Sequence, residues 1–332
     1  MSSPTLPFSV LQAPGKPPLL PLSGVGDPAD WAAAHRDALR AALLHHGALL
    51  VRGLGLRDAA GVGAVFRALA PGGLLPEQES FAPREDRGGG VYSSTKWPAN
   101  QQMCLHHEMS YTLAFPGTMM FACLTAPDRG GATVTADSPT VLGALPPPLA
   151  QRFEREGWML TRTYGDEIGA DWTEAFGTTD RAAVERYCRG NGIEFAWQPD
   201  GGLRTRQRRS AIVRHPVTGQ WCWFNQVAFL NRWTLADEVR EYLVEVYGED
   251  GLPFDTRFGG GDPIGKDVVD LLNGINEAHT AREAWQPGDL MLVDNVRTAH
   301  GREAYAGERE VLVGMADPVA LDRCSPTVPV PR

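Results

Sequence analysis

What most constrains this chain is how often its apolar stretches are cut. Its 332 residues include 37 glycines and 26 prolines, and no apolar run approaches the ~18 residues that cross a membrane. Elements must therefore be short and joined by many turns. With 43% hydrophobic and 21% charged residues, the chain has the composition of a folded, water-soluble protein and not of a disordered one. The formal charge of −9 comes without a basic block, which argues against nucleic acid as a partner. Cys104, Cys123, Cys188, Cys222 and Cys324 are odd in number and scattered, with no CxxC pair, so neither a disulfide framework nor a zinc ribbon is indicated. Pro14, Pro17, Pro18 and Pro21 break up the leucines near the N-terminus. A signal peptide is thus not indicated, and the expected location is the cytoplasm, away from any membrane.

Residues 1–26 read as a proline-rich arm laid over the surface, because proline supplies no ladder donors. Residues 27–332 read as a single domain. Asp27-Pro28 caps a helix whose Trp31, His35, Ala38, Leu39, Ala42 and Leu43 recur at helical spacing until Gly47. The apolar run Ala48 to Val51 suits a buried strand, and Val62, Val65, Phe66 and Leu69 mark a second helix ended by Pro71-Gly72-Gly73. Between Cys104 and Ser138 short apolar segments alternate with turns such as Phe115-Pro116-Gly117, as strands and hairpins do. A helical insertion is expected at about 140–200. Strand signals return at Ala211 to Arg214 and Trp221 to Asn225 and, after two more helices, at Leu290 to Val293 and Glu310 to Met315. The whole is one β-rich domain decorated by helices, with no internal repeat.

The chemistry concentrates in Leu105-His106-His107-Glu108-Met109-Ser110-Tyr111. On a strand, His106 and Glu108 point to one side and His107 to the other. One more imidazole would complete a two-histidine, one-carboxylate triad, which leaves adjacent positions open on Fe(II). His300, in Asp294-Asn295-Val296-Arg297-Thr298-Ala299-His300-Gly301-Arg302, follows a strand and is the best candidate. The spacing alone leaves a second reading open, a buried histidine simply bonded to a glutamate.

The HxE pair, Gly130-Gly131-Ala132-Thr133 beyond it, the Trp285-x-Pro287-Gly288-Asp289 turn, Asp294-Asn295, His300-Gly301-Arg302 and Arg309 stand in one order along most of the chain. This set resembles the TauD/TfdA family of Fe(II)/2-oxoglutarate dioxygenases. Ser94-Thr95, Glu108-Met109-Ser110-Tyr111, His215-Pro216-x-Thr218-Gly219 and Trp223-Phe224-Asn225-Gln226 further resemble the branch containing the syringomycin-pathway aspartyl hydroxylase and related natural-product oxygenases.

The resemblance implies a double-stranded β-helix, a cupin-like jelly roll of two facing antiparallel sheets, with the helical insertion between the metal motifs. It implies His106, Glu108 and His300 as iron ligands, Glu108 standing where many members have aspartate. It also implies Thr133 and Arg309 as the grip on the distal carboxylate of 2-oxoglutarate, a role suited to a planar guanidinium; Arg302 is the alternative to Arg309. Ser110, Tyr111, Asn225 and Arg302 are candidates for substrate contact. For Tyr111 core packing is the simpler role, and for Asn225 a hydrogen-bonded strand end is an equally simple one. The implied cofactors are Fe(II), 2-oxoglutarate as cosubstrate, and dioxygen. The implied reaction is hydroxylation of a C–H bond in an amino-acid-like substrate, free or tethered to a carrier protein. Epoxidation, desaturation and cyclisation are alternative outcomes, whereas the retained Glu108 argues against halogenation. A reading from another class is a noncatalytic barrel binding metal or metabolite, against which Thr133 and Arg309 weigh.

Overall fold

The computed structural model describes residues 7–81, 84–165 and 169–331. Alternation along the strands sorts side chains into two cores. In Ala48–Arg52, Leu49 and Val51 face one way and Ala48 and Leu50 the other; Met120 and Ala122 oppose Met119, Phe121 and Cys123 in Ala114–Thr125, and Leu290 and Leu292 oppose Met291 and Val293 in Leu290–Asp294. A strand buried on both faces needs two covers. The outer one is supplied by the helices Pro28–His46 and Ala59–Leu69, whose Leu39, Leu43, Val65 and Phe66 join the first core.

The larger sheet has six strands in the order Leu19–Pro21, Ala48–Arg52, Leu290–Asp294, Ala114–Thr125, Glu310–Ala320 and Val91–Ser93. All pairs are antiparallel except the first, in which Leu19–Pro21 runs parallel to Ala48–Arg52. Of the arm expected to lie over the surface, Leu19–Pro21 thus joins the sheet, at its edge, where Pro21 is tolerated. A second sheet orders Thr280–Ala281, Thr133–Asp137, Thr298–Arg302 and Met103–His106, all antiparallel. The rings of Phe121 and His300, one from each sheet, lie with centroids 5.1 Å apart. Two facing sheets, antiparallel but for that one edge pair, with helices outside form the jelly roll expected from the sequence.

The segment between the sheets' strands is helical over Ser138–Ala144, Pro147–Glu156, Trp172–Phe176 and Arg181–Gly190, as read from the sequence. It also contributes to a four-stranded antiparallel sheet of Phe254–Phe258, Trp158–Tyr164, Leu203–Arg209 and Ile193–Trp197. The central strand of this sheet escapes a hydrophobicity reading for a physical reason. In Leu203–Arg209 alternate residues are buried, but the buried set is Leu203, Thr205, Gln207 and Arg209, mostly polar. That polar face receives Glu79: its carboxylate accepts from Tyr187 Oη at 2.9 Å and Gln207 Nε2 at 3.1 Å, and its carbonyl from Arg162 Nη1 at 2.5 Å and Tyr111 Oη at 3.2 Å. The loop carrying Glu79 is thereby strapped to the inserted sheet.

Candidate metal centre

His106 ends its strand and His300 lies in Thr298–Arg302, and strand register makes them direct cross-strand partners. Opposed residues of an antiparallel pair share a face, and the two imidazole centroids are 4.6 Å apart. Gly301 permits this approach, since a Cβ there would sit 2.6 Å from the Met103 carbonyl oxygen. His106 Nδ1 lies 2.8 Å from the Cys104 carbonyl oxygen, so its proton belongs there and Nε2 carries the free lone pair.

Glu108 reaches the same side by a different route from simple alternation. The strand stops at His106, and residues 108–110 form a turn in which Met109 adopts φ 53°. Asn295 holds the turn: its Oδ1 accepts from Glu108 N at 2.8 Å, and its Nδ2 donates to the carbonyls of Glu108 at 3.0 Å and Pro116 at 2.8 Å. His107 points away from His106, yet inward and not to solvent. Its Nδ1 lies 2.5 Å from the Asn295 carbonyl and its Nε2 2.8 Å from Ser138 Oγ. With both nitrogens engaged, His107 braces the turn.

One ligand atom from each of His106, Glu108 and His300 lies within 4.8 Å of the others, and all three residues are buried. His300 Nδ1 is buried with no partner among the described residues, and Nε2 stands 3.8 Å from Glu108 Oε2, beyond hydrogen-bonding distance. Burial, with the neighbouring His300, drives the His106 pKa down to about 3, which keeps it neutral as a ligand must be. Burial alone would raise the Glu108 pKa, but Arg84 and His300 outweigh it and hold the carboxyl below the usual range. Two imidazoles and one carboxylate, converging in a buried place, fit a divalent iron ion.

The cavity beside the triad lies between the sheets and is bounded by Thr133, Arg302 and Arg309 and by apolar Met103, Phe121, Val311 and Val313. Thr133 pairs with Arg302 in register. Arg309 Nε donates to the Gly131 carbonyl at 2.9 Å, and Nη1 to Ser94 Oγ at 3.4 Å. Gly131, at φ 69°, cannot be replaced without strain, because a Cβ would meet Pro127 at 2.7 Å and Arg309 at 3.2 Å. Burial and the nearby Arg302 lower the Arg309 pKa to about 10, so it is still a cation at neutral pH. Arg302 donates to the carbonyls of Trp97, Pro98 and Gln101, at 3.2, 2.7 and 2.7 Å.

The other three sequence candidates lie off this cavity's lining. Ser110 is buried, its Oγ unpartnered among the described residues, Tyr111 binds the Glu79 carbonyl, and Asn225 bonds the Ala211 carbonyl and Val227 N at 3.2 and 3.0 Å. Two residues with no role assigned from the sequence do reach the centre. Asn295 stands in a recognised motif, and Arg84, in no motif at all, donates from Nη2 to Glu108 Oε2 at 3.0 Å.

A jelly roll holding such a triad beside an arginine and a threonine has the make-up of an Fe(II)/2-oxoglutarate-dependent dioxygenase, an oxidoreductase. Residues 18–316 match the family model described as taurine catabolism dioxygenase TauD, TfdA family, and the chain belongs to that family. It is 34% identical over 277 residues, 83% of this chain and 84% of the relative, to the dapdiamide synthesis protein DdaC of Enterobacter agglomerans. It is 29% identical over 285 residues, 82% of each, to a clavaminate synthase-like protein of Arabidopsis thaliana. Among solved structures it resembles PvcB from Pseudomonas aeruginosa, with a TM-score of 0.54 and 16% identity over 98% of this chain and 96% of that one. A taurine dioxygenase from Burkholderia xenovorans gives 0.52 and 16% over 95% and 92%. These structural likenesses concern the fold.

Proposed function

We propose that this dioxygenase hydroxylates a C–H bond of an amino-acid-like substrate, free or carrier-tethered, in natural-product biosynthesis. The observation that carries the reading is the cross-strand His106–His300 pair closed by Glu108, with Thr133 and Arg309 in the same cavity wall. The substrate class is supported by the relative whose name ties it to dapdiamide synthesis.

In this reading His106, Glu108 and His300 hold the iron. Bound there, iron with 2-oxoglutarate and dioxygen supplies the oxidising power, and succinate and carbon dioxide are released. The chain's own work is positioning and exclusion. Arg309, cationic at neutral pH and oriented by the Gly131 carbonyl, takes the distal carboxylate of the cosubstrate, and the Thr133 hydroxyl adds a hydrogen bond. Met103, Phe121, Val311 and Val313 keep water out, so that oxidation falls on the intended carbon. Arg302 borders the same space, and its Nε, unpartnered among the described residues, is available for a substrate acceptor. Ser110, Tyr111 and Asn225 support the wall behind the metal turn.

In this reading the catalytic domain is residues 27–332 and residues 1–26 are its arm, of which Leu19–Pro21 adds an edge strand to the large sheet. Among the described residues no helix is long and apolar enough to cross a membrane. All five cysteines are free, which suits a reducing cytoplasm.

The test is incubation with Fe(II), 2-oxoglutarate and a panel of free and carrier-bound amino acids, followed by mass spectrometry of product and succinate. A gain of one oxygen supports hydroxylation or epoxidation, whereas loss of two hydrogens points to desaturation or ring closure. His300→Ala should abolish both anaerobic iron binding and turnover. Full metal stoichiometry in that variant would overturn the assignment, and turnover confined to a terpene or fatty acid would overturn the substrate class.

A further inference from the structure

Several arginines of this molecule are buried, and most are engaged with the backbone. Arg162 holds the carbonyls of Glu79 and Ser80; Arg209 those of Tyr111, Asn191 and Arg208; Arg302 those of Trp97, Pro98 and Gln101. Such bonds pin loops. Arg84 is different. Its side chain is 4% exposed, and among the described residues its polar contacts are with side chains: Nε donates to Thr95 Oγ1 at 3.0 Å and faces Glu77 Oε1 at 3.4 Å, and Nη2 donates to Glu108 Oε2 at 3.0 Å. Its Nη1 is buried with no partner among the described residues, and Arg84 forms part of the wall of the cavity at the triad.

We propose that Arg84 is the positioning residue for the metal-binding carboxylate, fixing Glu108 Oε2 while Glu77 cancels the guanidinium charge. The inference rests on the metal-centre reading given above. A carboxylate at the tip of a turn has rotational freedom that Asn295, which grips only the Glu108 backbone, does not remove. Arg84 supplies the missing constraint on the side chain itself. A lone cation beside a divalent ion would repel it, but the pair Arg84–Glu77 is neutral in sum and leaves orientation without a net opposing charge. Partners one step behind a ligand commonly change metal affinity by about 10–100-fold when removed.

The experiment is isothermal titration of Mn(II) into the metal-free protein, with thermal unfolding as a check on folding and the electron paramagnetic resonance of bound Mn(II) as a report on its ligands. Arg84→Met should weaken Mn(II) binding by at least ~10-fold and change the resonance, and Arg84→Lys should recover part of the affinity. Thr95→Val keeps the guanidinium but removes its Nε anchor, and should weaken binding in the same direction to a smaller extent; it carries the test if Arg84→Met does not fold. Affinity equal to or tighter than that of the unaltered protein in Arg84→Met, or failing that in Thr95→Val, would overturn the role. No uptake of Mn(II) by the unaltered protein would overturn the metal-centre reading, and this inference with it.

Discussion

Asn295 shows how much of the centre hangs on single amides. It satisfies the backbone N–H and carbonyl of Glu108 in the turn and the carbonyl of Pro116 in the strand that follows. Asn295→Ala strands these buried groups, each at roughly 1–3 kcal/mol, so the expected result is a clear loss of stability in urea titrations together with weaker metal uptake. Arg309→Ala acts at the other end of the cavity. Removing one partner of a charged, hydrogen-bonded pair costs on the order of 2–5 kcal/mol, which corresponds to weakening of 2-oxoglutarate by at least ~30-fold, read by calorimetry of the metal-loaded protein. An unchanged affinity would transfer the role to Arg302. At this scale the sequence is informative about side chains that act through their own type and silent about those that act through position. His106, Glu108 and His300 can be picked out as metal-ligand types. Arg84 cannot, because an isolated arginine on a loop gives no local sign that Glu108 waits 24 residues on. The string His215-Pro216-x-Thr218-Gly219 is legible as a turn, and the structure shows that it also reaches the segment before His300, where His215 Nε2 lies 3.0 Å from Asp294 Oδ2.

Among the elements, helices and the large sheet follow from periodicity and caps. Asp27 Oδ1 accepts from Ala29 N and Asp30 N, both at 2.9 Å, and Gly47 closes the helix at φ 80°, as the sequence leads one to expect. The central strand Leu203–Arg209 of the inserted sheet is hidden from such a reading because its buried face carries Thr205, Gln207 and Arg209, so apolar alternation does not arise there. Those polar residues receive a loop. Glu79, at φ 49° and 2% exposed, is the keystone of that contact. Glu79→Ala would leave Tyr187 and Gln207 without their acceptor, at roughly 1–3 kcal/mol each. The loop should then open locally, and limited proteolysis should cut near it at a protease level that spares the unaltered protein.

Taken whole, the molecule is a vessel for groups that prefer to be uncharged. Burial raises the thiol pKa values of Cys123 and Cys188 to about 12 and those of Cys104 and Cys324 to about 11, from an ordinary 9.0. A folded-state pKa above the unfolded one means that the native form holds its proton longer. The contribution to stability is therefore complete below pH 9 and drains away as pH rises from 9 toward 12. Thermal melts should fall steeply across that window, and thiol reagents at about pH 8, below the ordinary thiol pKa, should label the buried Cys123, Cys188, Cys222 and Cys324 only as the protein unfolds; rapid labelling of these four in the folded state would contradict this. The cross-strand pairing of the two histidines has one more consequence, in the order of events during synthesis. One member belongs to the first third of the chain and the other to a strand made near its end. Contacts of such wide separation form late and slowly. With the ligand set proposed above, the full iron site cannot exist on a half-made chain: the ribosome must first have delivered the strand Thr298–Arg302.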